Sequence, residues 1–188
     1  INAKKSTCVR IGPRYNVNCA EITTCTGDLI PWVNTCRYLG VFIVSHSVFK
    51  CDYDNAKKKL FRTFNAVFGK IGKFASADVI LHILQSKCLP SLLYGLEACP
   101  VNTTESKSFE FALFRVYCKI FGTFSKVFID ECCSSFGINS ISIIINKRKL
   151  SFLKRYCASM NEVCGIFQSE AQHETKMLTL KLQQILQD

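Results

Sequence analysis

Three consecutive segments with helical periodicity constrain the fold of this chain more than any other feature. In the first, residues 53–73, apolar side chains recur at helical spacing on one face. They are Leu60, Phe64, Val67, Phe68 and Ile71. The second, residues 76–96, contains Pro90, which lacks a backbone N–H and therefore kinks or ends the helix. The third starts near Asn102 and ends at Gly122. Because short connections favour antiparallel neighbours, these segments predict a small helical bundle.

The first segment is also basic. Lysine and arginine side chains fall mostly opposite its apolar face: Lys58, Lys59, Arg62 and Lys73. This pattern has two explanations, a solvated amphipathic surface or a face that lies along a phosphate backbone. The whole chain has 24 Lys and Arg against 14 Asp and Glu, a formal charge of +10, which suits a polyanionic partner.

Short strands are predicted before the helices. Residues 8–11 alternate in a strand-like way, residues 20–25 form a second candidate, and a proline breaks the apolar run 29–33 or confines it to a sheet edge. Residues 38–44 are the strongest strand prediction because they are aromatic and β-branched. Gly40 within that run indicates a bulge or a close approach of another backbone.

So few short strands do not make a stable sheet without partners. The partners are either the helices that follow or a segment upstream of Ile1. The chain of 188 residues starts with Ile1 rather than Met, directly in a patterned segment, and this favours the second explanation. We therefore expect the chain to be a fragment of a longer protein.

After residue 125 the sequence predicts further helices. Residues 127–136 are followed by a glycine, residues 141–160 come next, and residues 170–186 carry Leu and Ile at helical spacing. A second basic cluster falls within residues 141–160: Lys147, Arg148, Lys149, Lys154 and Arg155.

The 12 cysteines do not indicate a metal site or a disulfide framework. No two have C-x-x-C spacing, and Cys157, Cys164 and His173 match no familiar zinc spacing. A disulfide framework needs a secreted protein, and the sequence shows no signal peptide. We expect free cysteines that pack as small apolar residues. Examples are Cys88, Cys99 and Cys118. The most apolar window, residues 79–96, is interrupted too early to span a membrane.

Three stretches, taken in order, resemble the C-terminal part of reverse transcriptases of non-LTR (LINE-type, jockey-like) retrotransposons. Asn2-Ala3-Lys4-Lys5-Ser6 resembles the Asn-x-x-Lys-Ser segment that follows the catalytic Asp-Asp turn of the palm. Tyr38-Leu39-Gly40-Val41 matches the Tyr-Leu-Gly motif of the primer-grip hairpin. Residues 88–98, Cys-Leu-Pro-Ser-Leu-Leu-Tyr-Gly-Leu-Glu-Ala, are similar to the leucine-rich Pro-x-Leu-Leu-Tyr-Gly block of the thumb. The resemblance covers about residues 1–124, with the basic helix between the second and third stretches.

The resemblance implies an α+β chain that is mainly α. Residues 1–50 would be the end of the palm with a primer-grip-like hairpin, residues 51–124 a thumb-like antiparallel bundle, and residues 125–188 a C-terminal helical extension. The implied function is that of a fragment of an RNA-directed DNA polymerase that grips an RNA/DNA template–primer duplex. The missing palm and fingers would lie upstream, and the protein would act in the cytoplasm or nucleus without a membrane segment.

The resemblance also implies roles for particular residues. Lys5 would contact the departing pyrophosphate; the alternative is an ordinary surface lysine. The Tyr38-Leu39-Gly40-Val41 segment would place the primer 3′ end; the alternative is a buried strand. The residues expected to contact duplex phosphates are Lys58, Lys59, Arg62, Lys70 and Lys73. Nucleotidyl transfer needs carboxylates that hold two Mg²⁺ ions, and in the family these precede the Asn-x-x-Lys-Ser segment. We therefore assign no metal ligand and no cofactor to this chain. The resemblance implies Mg²⁺ only for the parent enzyme. We expect no primer extension from the chain alone.

Two other functions fit the same features. One is a non-catalytic basic helical module that binds nucleic acid. The other is a protein-interaction module whose charge is incidental. Salt dependence separates them, because only binding to a polyanion releases counterions and weakens steeply with added salt.

Overall fold

The structure is a computed structural model that describes residues 2–187, with side chains of the last helix described up to residue 185. This part contains five short strands: β1 (Ile22–Thr23), β2 (Leu29–Ile30), β3 (Thr35–Tyr38), β4 (Val41–Val44) and β5 (Lys50–Asp52). It also contains eight α-helices: α1 (Asp54–Ile71), α2 (Ala77–Ile83), α3 (Leu89–Leu92), α4 (Thr103–Phe121), α5 (Lys126–Ser135), α6 (Ile141–Cys157), α7 (Glu162–Ile166) and α8 (Gln168–Gln187). This architecture confirms the predicted α+β, mainly α class.

The chain divides into two compact units, Ile1–Asn55 and Ala56–Asp188. The first holds two small antiparallel sheets, β1–β2 and β3–β4–β5. β2 stops at Ile30 because the next residue, Pro31, has no N–H to donate to a ladder. The break that the proline predicted is therefore confirmed.

Residues 8–11 do not form a strand, and this part of the sequence prediction is wrong. Cys8 and Ile11 each make one parallel bridge, to Trp32 and His46 respectively. The run is four residues long, and Gly12, with φ of 133°, turns the chain directly after it. Residues 8–10 are all half-buried, so their burial does not alternate, and the run ends before a ladder can form.

Residues 38–44 belong to two strands rather than one. β3 ends at Tyr38, β4 begins at Val41, and these two residues face each other across the ladder. The loop between them consists of Leu39 and Gly40, with φ of 46° and 85°. Two successive positive φ angles are typical of a type I′ turn, whose twist matches that of paired strands. The prediction of one strand with a bulge at Gly40 is wrong, because the glycine is a turn residue; a hairpin is the form that the resemblance implied.

In the second unit, α1 buries Leu60 and Phe64, which confirms the predicted apolar face. The second predicted helix is divided. α2 runs into a π turn, Leu84–Cys88, and then into α3, where Pro90 lies in the first turn. Proline lacks an N–H and crowds the turn before it, and the helix ends two residues after Pro90, at Leu92. The helix is therefore irregular before Pro90 and ends shortly after it, while a kink at the proline stays a prediction.

α4 has the ends that the sequence predicts. Asn102 Oδ1 accepts a hydrogen bond from the Glu105 N–H (2.8 Å), and Glu105 Oε2 accepts one from the Asn102 N–H (3.0 Å). This reciprocal capping box satisfies two backbone donors that the helix leaves unpaired. Gly122, in the left-handed region with φ of 66°, ends the helix.

The helices predicted after residue 125 correspond to α5, α6 and α8; α7 was not predicted. α5 and α6 both contact α4, and α8 packs along α6, so these helices lie in the same unit as the predicted thumb. The divisions predicted at residues 50/51 and 124/125 stay predictions. All 12 cysteines lie in the described part and none is in a disulfide; Cys88 and Cys118 are buried and Cys99 is half-buried. Among the described residues, none of the helices combines the length and the apolarity needed to cross a bilayer.

Candidate nucleic-acid interface

The basic side of α1 faces solvent. All five cations predicted to contact phosphate are exposed: Lys58, Lys59, Arg62, Lys70 and Lys73. Leu60 and Phe64, on the other side of the helix, are 0% and 2% exposed. Burial of that side fixes the rotation of α1 about its axis, and hence the direction in which the cations point. Between Asn55 and Ala77 the chain has no acidic residue, so no carboxylate of this segment neutralises the face.

Two hydrogen bonds join α1 to α4 and set the relative direction of the two helices. Lys57 Nζ donates to Ser108 Oγ (2.8 Å), and Lys119 Nζ donates to Asn65 Oδ1 (2.8 Å). The first bond lies near the start of both helices and the second lies further along both, so α1 and α4 run in the same direction. The first and third helices of an up-down-up bundle run in this way. Lys57 is half-buried against α4 and differs in this from the five exposed cations.

α4 adds two cations to the basic side of α1. Lys119 is exposed beside Asn65, and Arg115 is exposed one turn earlier on the same face of α4. We call these seven residues the α1–α4 basic surface: Lys58, Lys59, Arg62, Lys70, Lys73, Arg115 and Lys119.

The basic surface is long enough to meet several phosphates of one strand. From Lys58 to Lys70 it extends roughly 18 Å along α1, at 1.5 Å per residue. Phosphates of one strand of a duplex follow each other at about 3.4 Å along its axis, so the surface matches roughly five of them. Its geometry therefore suits a nucleic-acid backbone better than a single small anion.

The second basic cluster does not form one surface. Arg148 Nη2 lies 3.4 Å from Glu97 Oε1, and Lys149 Nζ pairs with Glu174 Oε1. Both cations are half-buried. The three remaining cations of the cluster are exposed: Lys147, Lys154 and Arg155. The cluster is thus divided between cations that face solvent and two ion pairs, which join α6 to the turn after α3 and to α8.

In the first unit, the predicted primer-grip residues form the tip of the β3–β4 hairpin. Tyr38 and Leu39 are 62% and 74% exposed, and Val41 is half-buried. The alternative of a buried strand is therefore wrong for Tyr38 and Leu39. Lys5 is exposed at the end of a single 3₁₀ turn, Ala3–Lys5. The roles assigned to these residues stay predictions.

A cleft of about 730 Å³ lies between α4, α5 and the start of α6. Burial raises the pKa of Tyr117, which lines it. Burial, and then the Asp130 carboxylate, raises the pKa of the Cys133 thiol to about 11. Both groups are therefore neutral near pH 7. By helical rotation Tyr117 lies on another side of α4 from Lys119, so the cleft is not part of the α1–α4 basic surface.

The residues present do not fit the Mg²⁺ that the resemblance implies for the parent enzyme. Within residues 2–187, no three side chains of His, Cys, Asp or Glu are grouped so that they could hold a metal ion. We assign no ligand to Mg²⁺ and derive no step through it.

Sequence reasoning missed Arg115 and Lys119. Helical periodicity describes one helix at a time, and these residues join the basic surface only because α4 lies beside α1. Their spacing of four residues, which places them on one face, was the available signal.

The α1–α4 basic surface, the exposed hairpin and the three motif stretches are the features from which a function can be argued. None of the protein-family models, curated proteins and solved structures compared with this chain matches it.

Proposed function

We propose that this chain is part of the palm and thumb of a reverse transcriptase of the non-LTR retrotransposon type, and that its second unit binds the template–primer duplex. The α1–α4 basic surface is the observation that supports the binding role, because it presents seven exposed cations: four on α1, Lys73 just after α1, and two on α4. The three motif stretches support the family. The cytoplasm or the nucleus as the place of action belongs to the same proposal.

The surface binds by charge rather than by reading bases. Lys and Arg side chains contact phosphate oxygens, which carry no sequence information, so a polymerase can accept any template. A duplex that contains RNA is recognised through its shape, its phosphates and its 2′-hydroxyl groups. In this proposal the β3–β4 hairpin places the primer 3′ end and Lys5 meets pyrophosphate, while catalytic carboxylates come from another part of the enzyme.

Binding of the full chain to a short labelled RNA–DNA hybrid tests the proposal. Each neutralised phosphate releases counterions, so with roughly five phosphates matched the plot of log K against log salt should have a slope of roughly −4 to −5. The triple variant Lys58→Gln, Lys59→Gln, Arg62→Gln should bind more weakly, with a slope shallower by about 2 to 3. Fluorescence anisotropy between about 50 and 200 mM salt measures both quantities.

A second triple variant controls for net charge. Lys147→Gln, Lys154→Gln, Arg155→Gln removes the same number of exposed cations from α6. It should leave the affinity and the slope close to those of the original chain. Equal losses in both triple variants would show that net charge alone binds the hybrid. A salt-independent interaction of the original chain would favour the protein-interaction alternative instead.

The reverse transcriptase origin has a separate test. The reading frame upstream of Ile1 should encode an aromatic-Ala-Asp-Asp turn of the palm within roughly a hundred residues, since two carboxylates at such a turn hold the metal ions of nucleotidyl transfer. A frame without it would overturn the reverse transcriptase origin and leave the two non-catalytic alternatives, nucleic-acid binding and protein interaction.

A further inference from the structure

Two phenylalanines just after the ends of α1 and α4 project into solvent. Phe74 is 89% exposed and Phe124 is 87% exposed. Each lies three residues after the end of its helix, at Ile71 for α1 and at Phe121 for α4. A single exposed phenylalanine is ordinary on a protein surface, but here two exposed rings lie near each other's helix end among cations.

The two rings project from the same end of the second unit. α1 and α4 run in the same direction, as the Lys57–Ser108 and Lys119–Asn65 hydrogen bonds require. Counted from the Lys119–Asn65 bond, both helices end within roughly 10 Å, at 1.5 Å per residue. Phe74 and Phe124 therefore leave the bundle at one end.

Lysines lie close in sequence to both rings. Four exposed lysines lie within five residues of one ring or the other: Lys70, Lys73, Lys119 and Lys126. The nearest acidic residues in sequence are Asp78, four residues after Phe74, and Asp130, six residues after Phe124. Exposed aromatic rings among lysines are typical of surfaces that bind single-stranded nucleic acid, where bases stack on the rings and cations meet the backbone.

We propose that this end of the second unit binds a single-stranded segment of nucleic acid, with bases stacked on Phe74 and Phe124. The inference rests on the proposed function, because the segment would be the unpaired continuation of the duplex on the α1–α4 basic surface. Lys70, Lys73 and Lys119 belong to both surfaces, so the cationic path is continuous. This continuity favours nucleic acid over an acidic membrane surface, which aromatic and basic residues can also bind. Every base has a stacking face, so the contact tolerates any sequence.

Two labelled probes test the inference with the full chain: a blunt RNA–DNA hybrid, and the same hybrid with a single-stranded extension. The original chain should bind the extended probe more tightly by roughly 5- to 140-fold, the range expected for stacking one base on an aromatic side chain. Phe74→Ala combined with Phe124→Ala should abolish this preference and leave binding of the blunt hybrid unchanged. Because both rings are exposed, circular dichroism should show an unchanged fold.

Phe111→Ala is the matched control. Phe111 is 60% exposed on α4, about three turns before the end of the helix. Its replacement should change binding of neither probe. The inference would be overturned if the Phe74 and Phe124 double variant kept its preference for the extended probe. It would also be overturned if the Phe111 variant lost that preference to the same extent.

The proposed function and this inference fail in different ways. Weaker binding of the blunt hybrid by the Lys58, Lys59 and Arg62 variant would support the proposed function and would say nothing about the two rings. If the original chain ignores the blunt hybrid, the proposed function fails, and a free single strand still reports whether the two rings are needed. Binding to phosphatidylserine vesicles that depends on both rings, without binding to single strands, would assign this end to a membrane surface and overturn the inference.

Discussion

Cys133 shows how much the behaviour of one residue depends on its surroundings. It is half-buried on α5 beside the cleft, where burial and then the Asp130 carboxylate raise the pKa of its thiol from 9.0 to about 11. Because the thiolate is the nucleophile, this cysteine is less reactive at neutral pH than an unperturbed one. The folded chain holds the proton more tightly than the unfolded chain. The resulting stability is full below about pH 9 and is lost as the pH rises through about 11.

Replacing Asp130 should change the titration of Cys133. Asp130→Asn removes a negative charge that disfavours the thiolate, so the pKa of Cys133 should fall, although burial still keeps it raised. Alkylation of Cys133, followed by mass spectrometry across a pH series, should then reach its midpoint at a lower pH. Glu131→Gln, which alters the adjacent acid on the same helix, should leave the midpoint in place. An identical shift in both variants would mean that helix charge in general, rather than Asp130, sets the pKa.

At the scale of elements, the β3–β4 hairpin adopts a turn that its first loop residue does not favour. Leu39 has φ of 46°, and a residue with a Cβ pays roughly 1–2 kcal/mol in this region. Its side chain is 74% exposed, so burial recovers little of that cost. Strain of this kind persists where the surrounding structure or a function requires it. In the proposed function, the strained turn is required because the hairpin tip places the primer 3′ end.

Leu39→Asn should stabilise the first unit. Asparagine tolerates positive φ, and Asn-Gly is the preferred pair for a two-residue type I′ turn, so the free energy of unfolding should rise by up to about 1 kcal/mol. Urea unfolding monitored by the fluorescence of Trp32 measures this change. Leu29→Asn is the control, because Leu29 is exposed in β2 and asparagine is disfavoured in a strand. A gain in both variants, or in neither, would contradict the account of the turn.

At the scale of the whole molecule, burial is unevenly distributed. α4 alone buries six residues: Phe109, Ala112, Leu113, Val116, Tyr117 and Cys118. In the β1–β2 pair only Ile30 is buried. Local stability follows burial and hydrogen bonding, so different parts of one chain open with different free energies.

Hydrogen exchange should reveal this difference. Amides in the middle of α4 should exchange most slowly, because opening them exposes the core of the second unit, and amides of β1 and β2 should exchange fastest among the paired strands. Mass spectrometry of peptides after a series of exchange times measures both. Equal protection of α4 and the β1–β2 pair would show that burial does not set the order of opening.

The sequence by itself determined the helices and their ends. Four features follow from contacts between residues at most a few positions apart: the apolar face of α1, the capping box at Asn102, the end of α4 at Gly122 and the end of α3 shortly after Pro90. These features could be predicted because helical hydrogen bonds and caps are local. The high helix content followed from the same local signals, and the resemblance added the α+β class.

Tertiary structure decided what the local signals left open. The division of residues 38–44 into a hairpin depends on pairing between strands, and the periodicity of a single run does not show it. Arg115 and Lys119 join the basic surface because α4 lies beside α1, and Phe74 and Phe124 share one end because the two helices run in the same direction. The physical reason is the same in each case: contacts between residues distant in sequence form only when packing brings their elements together.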